Sequence, residues 1–584
     1  MFRRVLLALA ILSVGLAIGG CQAEAEKTPK ALPDWSRAQQ VGVSAANQPI
    51  SVVADDEYVH VLFVAAEAQT LHYLQLDSTG DPAVSVDLDL YGAHPSWPEL
   101  LVRPDGSLLA FWTDNPDIPR ALFVANLSRA GQLFGQPLQL SLPGVRIAAF
   151  AVANNADGSV DVFWANEIPA EGGIYHLELG PGGGVVSDNA LLIPGGAEPS
   201  LQVGRDGMIH LTWVEEQELM VQDVYYGLFD PSTSELQART RAGSYKTMTG
   251  LVAYPPIVAL DNSTAYLFWA LERRGGGLTG AGNAETSFVA FPLSGPKYEE
   301  PRTLNIPYLA KPSYETASGS LPYERLASPR TGWPTSLLYM PSTSGDQGQE
   351  VGLYLIAEVA TQTQSSREVV WAIFSNGELK GYQLVTQVGG ALRPRGTLDE
   401  RGNAHLVFLN AAGFGRYEIY YASTSDAVKA NLDRVTIQDR ANSFFGALWT
   451  LAPAMGFFPP VLLLWSFASF VWVVAFYFVK TEGGLDRRPA QIALVVSIVL
   501  YLAAKFILAP GVLFYAPLLD RLPANLQFVT VLGTPLFTLL VALGAIWLYF
   551  RRTPYRSLFV AWVIFVLTDA MLSMIIYMPQ WLNR

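Results

Sequence analysis

The feature that most constrains this chain is a fixed internal spacing. Pro49, Pro98, Pro199, Pro255 and Pro394 each stand 14 residues before a large aromatic, respectively Phe63, Trp112, Trp213, Trp269 and Phe408. A sixth unit ends at Trp164, with Phe150 in the proline slot. Self-similarity at a period of about 50 residues marks an array in which one supersecondary unit is repeated and no unit can cover its own apolar faces.

Inside each unit the text repeats as a short apolar run, a turn, and an alternating run into the aromatic. Leu100 to Gly106 followed by Leu108 to Trp112 is one case; Asn155-Ala156-Asp157-Gly158 and Arg205-Asp206-Gly207 are the turns of two others. Asp-Gly between apolar runs is a hairpin signal, because glycine tolerates positive φ and the Asp side chain bonds its own turn backbone. A third strand follows in most units, as in Leu71 to Leu74, Ala121 to Val124, Ile174 to Leu177 and Glu418 to Tyr421. In the fifth unit it is delayed to near Phe288 by the glycine-rich insertion Gly275 to Gly282. Three or four strands per unit predict an all-β propeller over residues 37–435. The double-length gap before Phe408 holds a degenerate blade around Leu337-Leu338-Tyr339 with Tyr354, which makes seven blades the count, with six or eight as alternatives. Phe63, Trp112, Trp164, Trp213, Trp269 and Phe408 are then blade-packing residues, each burying about 150–250 Å² against a neighbouring blade.

The repeats resemble those of sialidase-like, Asp-box-related bacterial propellers, whose motif is Ser-x-Asp-x-Gly-x-x-Trp. Here the tryptophan comes six residues after the glycine, as in Asp105-Gly106 to Trp112, and the Ser-x-Asp element is missing. The resemblance extends over most of residues 37–435 as blade shape and transfers no catalytic residue.

Both ends of the chain point to a membrane. Met-Phe-Arg-Arg, the apolar run Val5 to Ile18 and Gly19-Gly20-Cys21 form a positive n-region, a short h-region and a small-residue cleavage site, so residues 1–20 are expected to be a signal peptide. Ile18 to Cys21 resembles the lipobox of bacterial lipoproteins, which implies acylation of Cys21, with residues 21–36 as a flexible tether. Cys21 is the only cysteine, so internal disulfides, thiol redox chemistry and Cys-rich metal sites are excluded.

After Arg440 four apolar stretches, at 460–479, 491–509, 528–550 and 557–578, are each long enough to span a bilayer and predict an all-α transmembrane four-helix region over 459–584. Residues 443–458 are also apolar but carry Pro453 and Gly456 and stop at Pro459-Pro460, which predicts a separate interfacial or re-entrant segment. Lys480, Arg487 and Arg488 lie in the first connection and Arg551, Arg552 and Arg556 in the third, against Arg521 alone in the second. The positive-inside rule therefore sets residues 21–440 and the C-terminus on the extracytoplasmic side of a multi-pass cell-membrane protein. Lys505 and Asp569 fall within spans that run in the same direction, 14 and 12 residues in, and at that shared depth they are expected to form an intramembrane pair.

Residues 441–584 carry nine Lys or Arg against four Asp or Glu, a net of +5 within a chain total of −13, which leaves −18 on the first 440. An acidic exported region argues against nucleic acid as a partner. His60, His210 and His405 recur three residues before the blade aromatic, where Leu109, Asp161 and Tyr266 stand in other units. Equivalent slots in separate blades are too far apart for metal ligation, so these read as strand positions and no metal or cofactor is implied. Glu215-Glu216 and Asp114 to Asp117 supply carboxylates near strand ends, but no G-x-S-x-G, His-Glu-x-x-His or Walker sequence appears. The leading expectation is a membrane-anchored extracytoplasmic recognition or scaffold module for a protein or glycan. The alternatives are a sialidase-like surface glycoside hydrolase and an accessory subunit of a transport or envelope-assembly complex with a membrane-protein partner.

Overall fold

Proline removes a ladder hydrogen bond and is tolerated in a sheet only at an edge or a bulge, and that is where this chain uses it. The computed structural model describes residues 34–582 except 45–46, 68, 91–93, 115–119, 167–171, 219, 274–282, 305–336, 340–349, 361–364, 387–389, 414, 435, 481–482 and 509–526. Its described strands form seven four-stranded antiparallel sheets, the blades of a propeller. The first strand of each blade is the inner one: Ser51–Ala54, Pro95–Val102, Ile147–Asn154, Gly196–Val203, Leu251–Leu260, Leu337–Tyr339 and Ala391–Leu398. The sixth is the degenerate unit, with Tyr339 paired to Tyr354.

In blades two, four, five and seven the inner strand is bulged where two residues oppose one blade aromatic. Trp97 and Pro98 face Trp112, Glu198 and Pro199 face Trp213, Pro255 and Pro256 face Trp269, and Arg393 and Pro394 face Phe408. The 14-residue spacing is therefore the length from the bulge, round the hairpin, back to the residue opposite it. Blade five departs by one: its turn, Asp261 to Thr264, is a residue shorter than the turn 103–107, so Pro256 rather than Pro255 takes the register of Pro98. The residue before the proline is left-handed in three blades, with φ of 54° at Trp97, 53° at Glu198 and 45° at Arg393. Holding a non-glycine residue there costs about 1–3 kcal/mol each.

The blade aromatics are all buried, from 0% exposed at Trp164, Trp213 and Phe408 to 3% at Phe63. Each packs with residues of the preceding blade: Trp112 with Leu62 and Tyr73, Trp164 with Leu109 and Phe111, Trp213 with Phe163 and Ile174, Trp269 with Val224 and Tyr226. Gly243, on the outer strand of blade four, faces Trp269 so closely that a Cβ would stand 2.9 Å from the indole. Gly243→Ala is expected to overpack this junction and cost about 1–3 kcal/mol, read as a lower melting temperature of the purified protein.

Closure follows from the last sheet, which takes its outermost strand, Gln39–Ser44, from the start of the chain and pairs it antiparallel with Tyr417–Ser423. Ser36 N donates to Ser423 O at 2.7 Å and Arg37 N to Asp433 Oδ1 at 2.7 Å, tying the N-terminal strand to the short helix Asp426–Leu432 as well.

The second unit of the chain is helical. Phe458–Val479, Arg488–Leu508, Val531–Arg552 and Leu558–Tyr577 are each long and apolar enough to cross a membrane. Residues 443–458 belong to a helix, Ile437–Val479, that runs through Pro459-Pro460 without a break into the first apolar span, Phe458–Val479. In a bilayer environment the carbonyls freed by proline are tolerated when neighbouring groups re-satisfy them, and the helix continues. The first and third connections meet: Leu485 N donates to Arg556 O at 2.9 Å and Leu558 N to Gly483 O at 2.9 Å, which brings their basic residues to one end of the bundle.

Candidate functional site

The turns that link inner to second strands in blades one, two and seven, with residues of blades three and six, line a cavity of about 1170 Å³ at one end of the propeller channel. Its lining comes from five blades: Asp55 and Asp56 of the first, Arg103 and Asp105 of the second, Asn154 of the third, Glu350 and Trp371 of the sixth, Asp399, Glu400 and Arg401 of the seventh, with Arg129 from an outer turn of the second. Six carboxylates against three guanidinium groups leave the lining acidic. Two polar atoms in it, Asn154 Oδ1 and Trp371 Nε1, are buried without a hydrogen-bond partner among the described residues.

The carboxylates beside this mouth are fixed by a device that the sequence only half reveals. In blade one His60 Nε2 lies 3.1 Å from Asp55 Oδ2 and Nδ1 lies 2.8 Å from Tyr73 Oη on the third strand. Arg129 of blade two closes the group, with a nitrogen 2.8 Å from Asp55 Oδ2. Blade seven repeats the pattern, His405 standing 3.4 Å from Asp399 Oδ2 and 2.8 Å from Tyr421 Oη. In blade four His210 pairs with Tyr226 Oη at 2.6 Å, and in blade five Tyr266 replaces the histidine and donates to Asp261 Oδ2 at 2.7 Å. Asp161 inverts the arrangement in blade three, receiving His176 from the third strand at 2.6 Å. In blades one and seven the slot three residues before the aromatic is thus a polar clamp between turn and third strand. The histidine recurrence was visible in the sequence; its tyrosine partners, 13 to 16 residues on, lay across a hairpin and were not paired with it.

Burial pushes the His60 imidazole down against the upward pull of Asp55, and pushes His210 down to about 4. Asp399 lies low, at about 2, where hydrogen bonds from His405 and Asn403 outweigh the opposing, larger single effect of burial. For His210 the folded state stays neutral while an unfolded histidine takes a proton near pH 6.5. Its share of stability is complete above that pH and is lost as pH falls towards 4, by about 3 kcal/mol. The melting temperature is expected to drop between pH 7 and 4.5, and His210→Phe should flatten that slope.

The structure brings together one pair named from the sequence. Lys505 Nζ lies 2.7 Å from Asp569 Oδ2 and 2.7 Å from Ser573 Oγ, and Tyr501 Oη donates to the same carboxylate oxygen at 2.9 Å. Asp569 Oδ1 is buried with no partner among the described residues. The other carboxylates noted in the sequence are dispersed. Glu215 accepts from Trp213 Nε1 at 2.8 Å and meets Arg239 at 2.5 Å, Glu216 is exposed, and Asp114 accepts from His94 N at 3.0 Å. Asp117, the insertion Gly275 to Gly282, Arg521, and Cys21 with the signal segment lie outside the described residues. Among the described residues no three His, Cys, Asp or Glu side chains are grouped to hold a metal ion.

No protein-family model matches the chain, and no curated protein matches it in sequence. Among solved structures it is similar to the polysaccharide lyase Uly1, at 12% identity and a TM-score of 0.40 over 69% of this chain and 93% of that one. It is similar also to a PL25 ulvan lyase, at 11% identity and 0.39 over 65% and 95%. A protein of unknown function from Dyadobacter fermentans follows, at 10% identity and 0.34 over 57% and 94%. Likeness at this level assigns neither substrate nor reaction.

Proposed function

We propose that this chain is a membrane-anchored recognition module that holds a seven-bladed propeller outside the cell and takes a basic segment of a partner protein into the acidic mouth of its channel. The observation that carries the reading is the cavity itself: residues from five blades converge on it and carboxylates outnumber guanidinium groups two to one. A Lys or Arg side chain entering there meets Asp56 and Glu400, which lie beside each other and next to Asp399, and charge-assisted hydrogen bonds are the strong ones. Extracytoplasmic display is supported by the signal-like N-terminus, by Cys21 as the residue for acylation, and by the gathering of Arg487, Arg488, Arg551, Arg552 and Arg556 at one end of the bundle. A second reading, an accessory subunit in a membrane complex, is favoured by the many large apolar side chains exposed on the four spans, such as Leu463, Phe467, Ile492, Leu532 and Trp547.

Crosslinking in intact cells followed by purification in detergent tests the first reading. A captured partner whose contact peptide is basic, and whose capture falls when Asp56 and Glu400 are changed to Asn and Gln, supports it. Capture unaffected by those changes, or protease protection of the propeller in spheroplasts, would overturn it.

A further inference from the structure

Trp97, Glu198 and Arg393 hold the same place in three blades, the left-handed residue before the bulge proline, with φ of 54°, 53° and 45°. A bulge by itself asks for glycine or asparagine there, and a residue before proline ordinarily stays extended. Instead the chain keeps three bulky side chains of different chemistry, an indole, a carboxylate and a guanidinium. A packing device would repeat one chemistry, as the aromatics opposite these bulges, Trp112, Trp213 and Phe408, do. Strained positions that carry unlike functional groups mark a site whose side chains are needed in those positions.

Topology sets them around one opening. All three lie near the start of an inner strand, whereas the acidic cavity is built from the turns at the ends of those strands, so they ring the opposite end of the channel. Trp97 is 40% exposed, in contrast to the buried blade tryptophans, and has no aromatic partner among the described residues. Arg393 is steadied by its Nε donating to Asn47 Oδ1 at 2.6 Å. In blade five Tyr254, next to the bulge, donates to Glu272 Oε2 at 2.6 Å.

We infer that this end of the channel is a binding site for a neutral saccharide. The open indole face offers a platform for the C–H face of a pyranose ring, and the planar carboxylate and guanidinium offer paired acceptors and donors to neighbouring hydroxyls. Glu198 and Arg393 themselves carry opposite charges, so the three bulge side chains add no net charge, which suits a neutral sugar over a uronate. The inference is independent of the basic-segment reading, since it uses other residues at the other end of the channel.

The test uses the full-length protein in detergent, with neutral hexasaccharides of glucose, galactose, mannose and xylose and hexauronates as charged comparison, followed by calorimetry and tryptophan fluorescence. At least one neutral hexasaccharide should bind, and Trp97→Gly, Glu198→Gly and Arg393→Gly should each weaken it tenfold or more. The same glycine variants should keep or raise the melting temperature, because glycine relieves the backbone, whereas residues retained for packing would lower it. Absence of binding to every neutral hexasaccharide, preference for the hexauronates, glycine variants that bind as tightly as the parent, or glycine variants that melt lower would each overturn the proposal.

Discussion

Asp569→Leu is expected to destabilise the helical unit by about 3–5 kcal/mol, because it leaves the Lys505 ammonium buried beside Ser573 and the Trp465 ring without its counter-charge. Removing one member of a buried ion pair costs far more than the pair itself contributes, since the remaining charge keeps its desolvation penalty and loses its counter-charge. The double variant Lys505→Met/Asp569→Leu should recover most of the loss. Yield of folded protein from membranes and the thermal transition in detergent measure both. A double variant no better than Asp569→Leu alone would mean that the pair is held by something other than charge compensation. Asp569→Asn separates the roles further: it keeps an acceptor for Tyr501 Oη and removes the charge, so it should fall between parent and Asp569→Leu.

Trp213→Ala should cost the propeller about 3–5 kcal/mol, the range for emptying a buried aromatic site. The indole fills the junction of blades three and four beside Phe163, Ile174 and Phe229, stacks on Tyr225 with ring centres 5.7 Å apart, and donates Nε1 to Glu215. Truncation therefore opens a cavity and strips a buried carboxylate of a donor at once. Trp213→Phe fills much of the volume but leaves Glu215 with Arg239 alone, and should cost less. Thermal melts of the purified protein distinguish the two, and equal losses would show that the hydrogen bond rather than the volume dominates.

The blades could be read from the sequence because the information is local. A proline, a turn with Asp-Gly, and an aromatic fall within some 15 residues of one another, and the bulge that links the first to the last is a matter of counting round one hairpin. The same counting slipped by one at Pro256, where a shorter turn is invisible until the register is seen. Span lengths and the equal depth of Lys505 and Asp569 were legible for a similar reason, since helical rise converts residue number into height. The long helix Ile437–Val479 was not, because proline is a weaker breaker among apolar neighbours than the rule for exposed helices suggests. The channel mouths were hidden altogether. Asp55, Asp105 and Asp399 are about 50 to 340 residues apart in sequence, and Trp97, Glu198 and Arg393 about 100 to 300, so each set assembles only when the ring closes. The one local hint at the second mouth was that the residue before the repeat proline is Trp97, Glu198 and Arg393 in three of the blades.

The strand that finishes the last blade, Gln39–Ser44, is also the first to be made. Until the segment Tyr417–Ser423 has emerged, that strand has no partner in its sheet, and the growing array keeps bare edges at both extremities. A chain cut short anywhere before residue 417 is left with an open ring, and sheet edges of that kind are sticky. The fold thus works as its own proofreader: only a polypeptide carried through to the threshold of its hydrophobic helices can tuck away its own beginning, and unfinished products are left marked by the strand they could not hide.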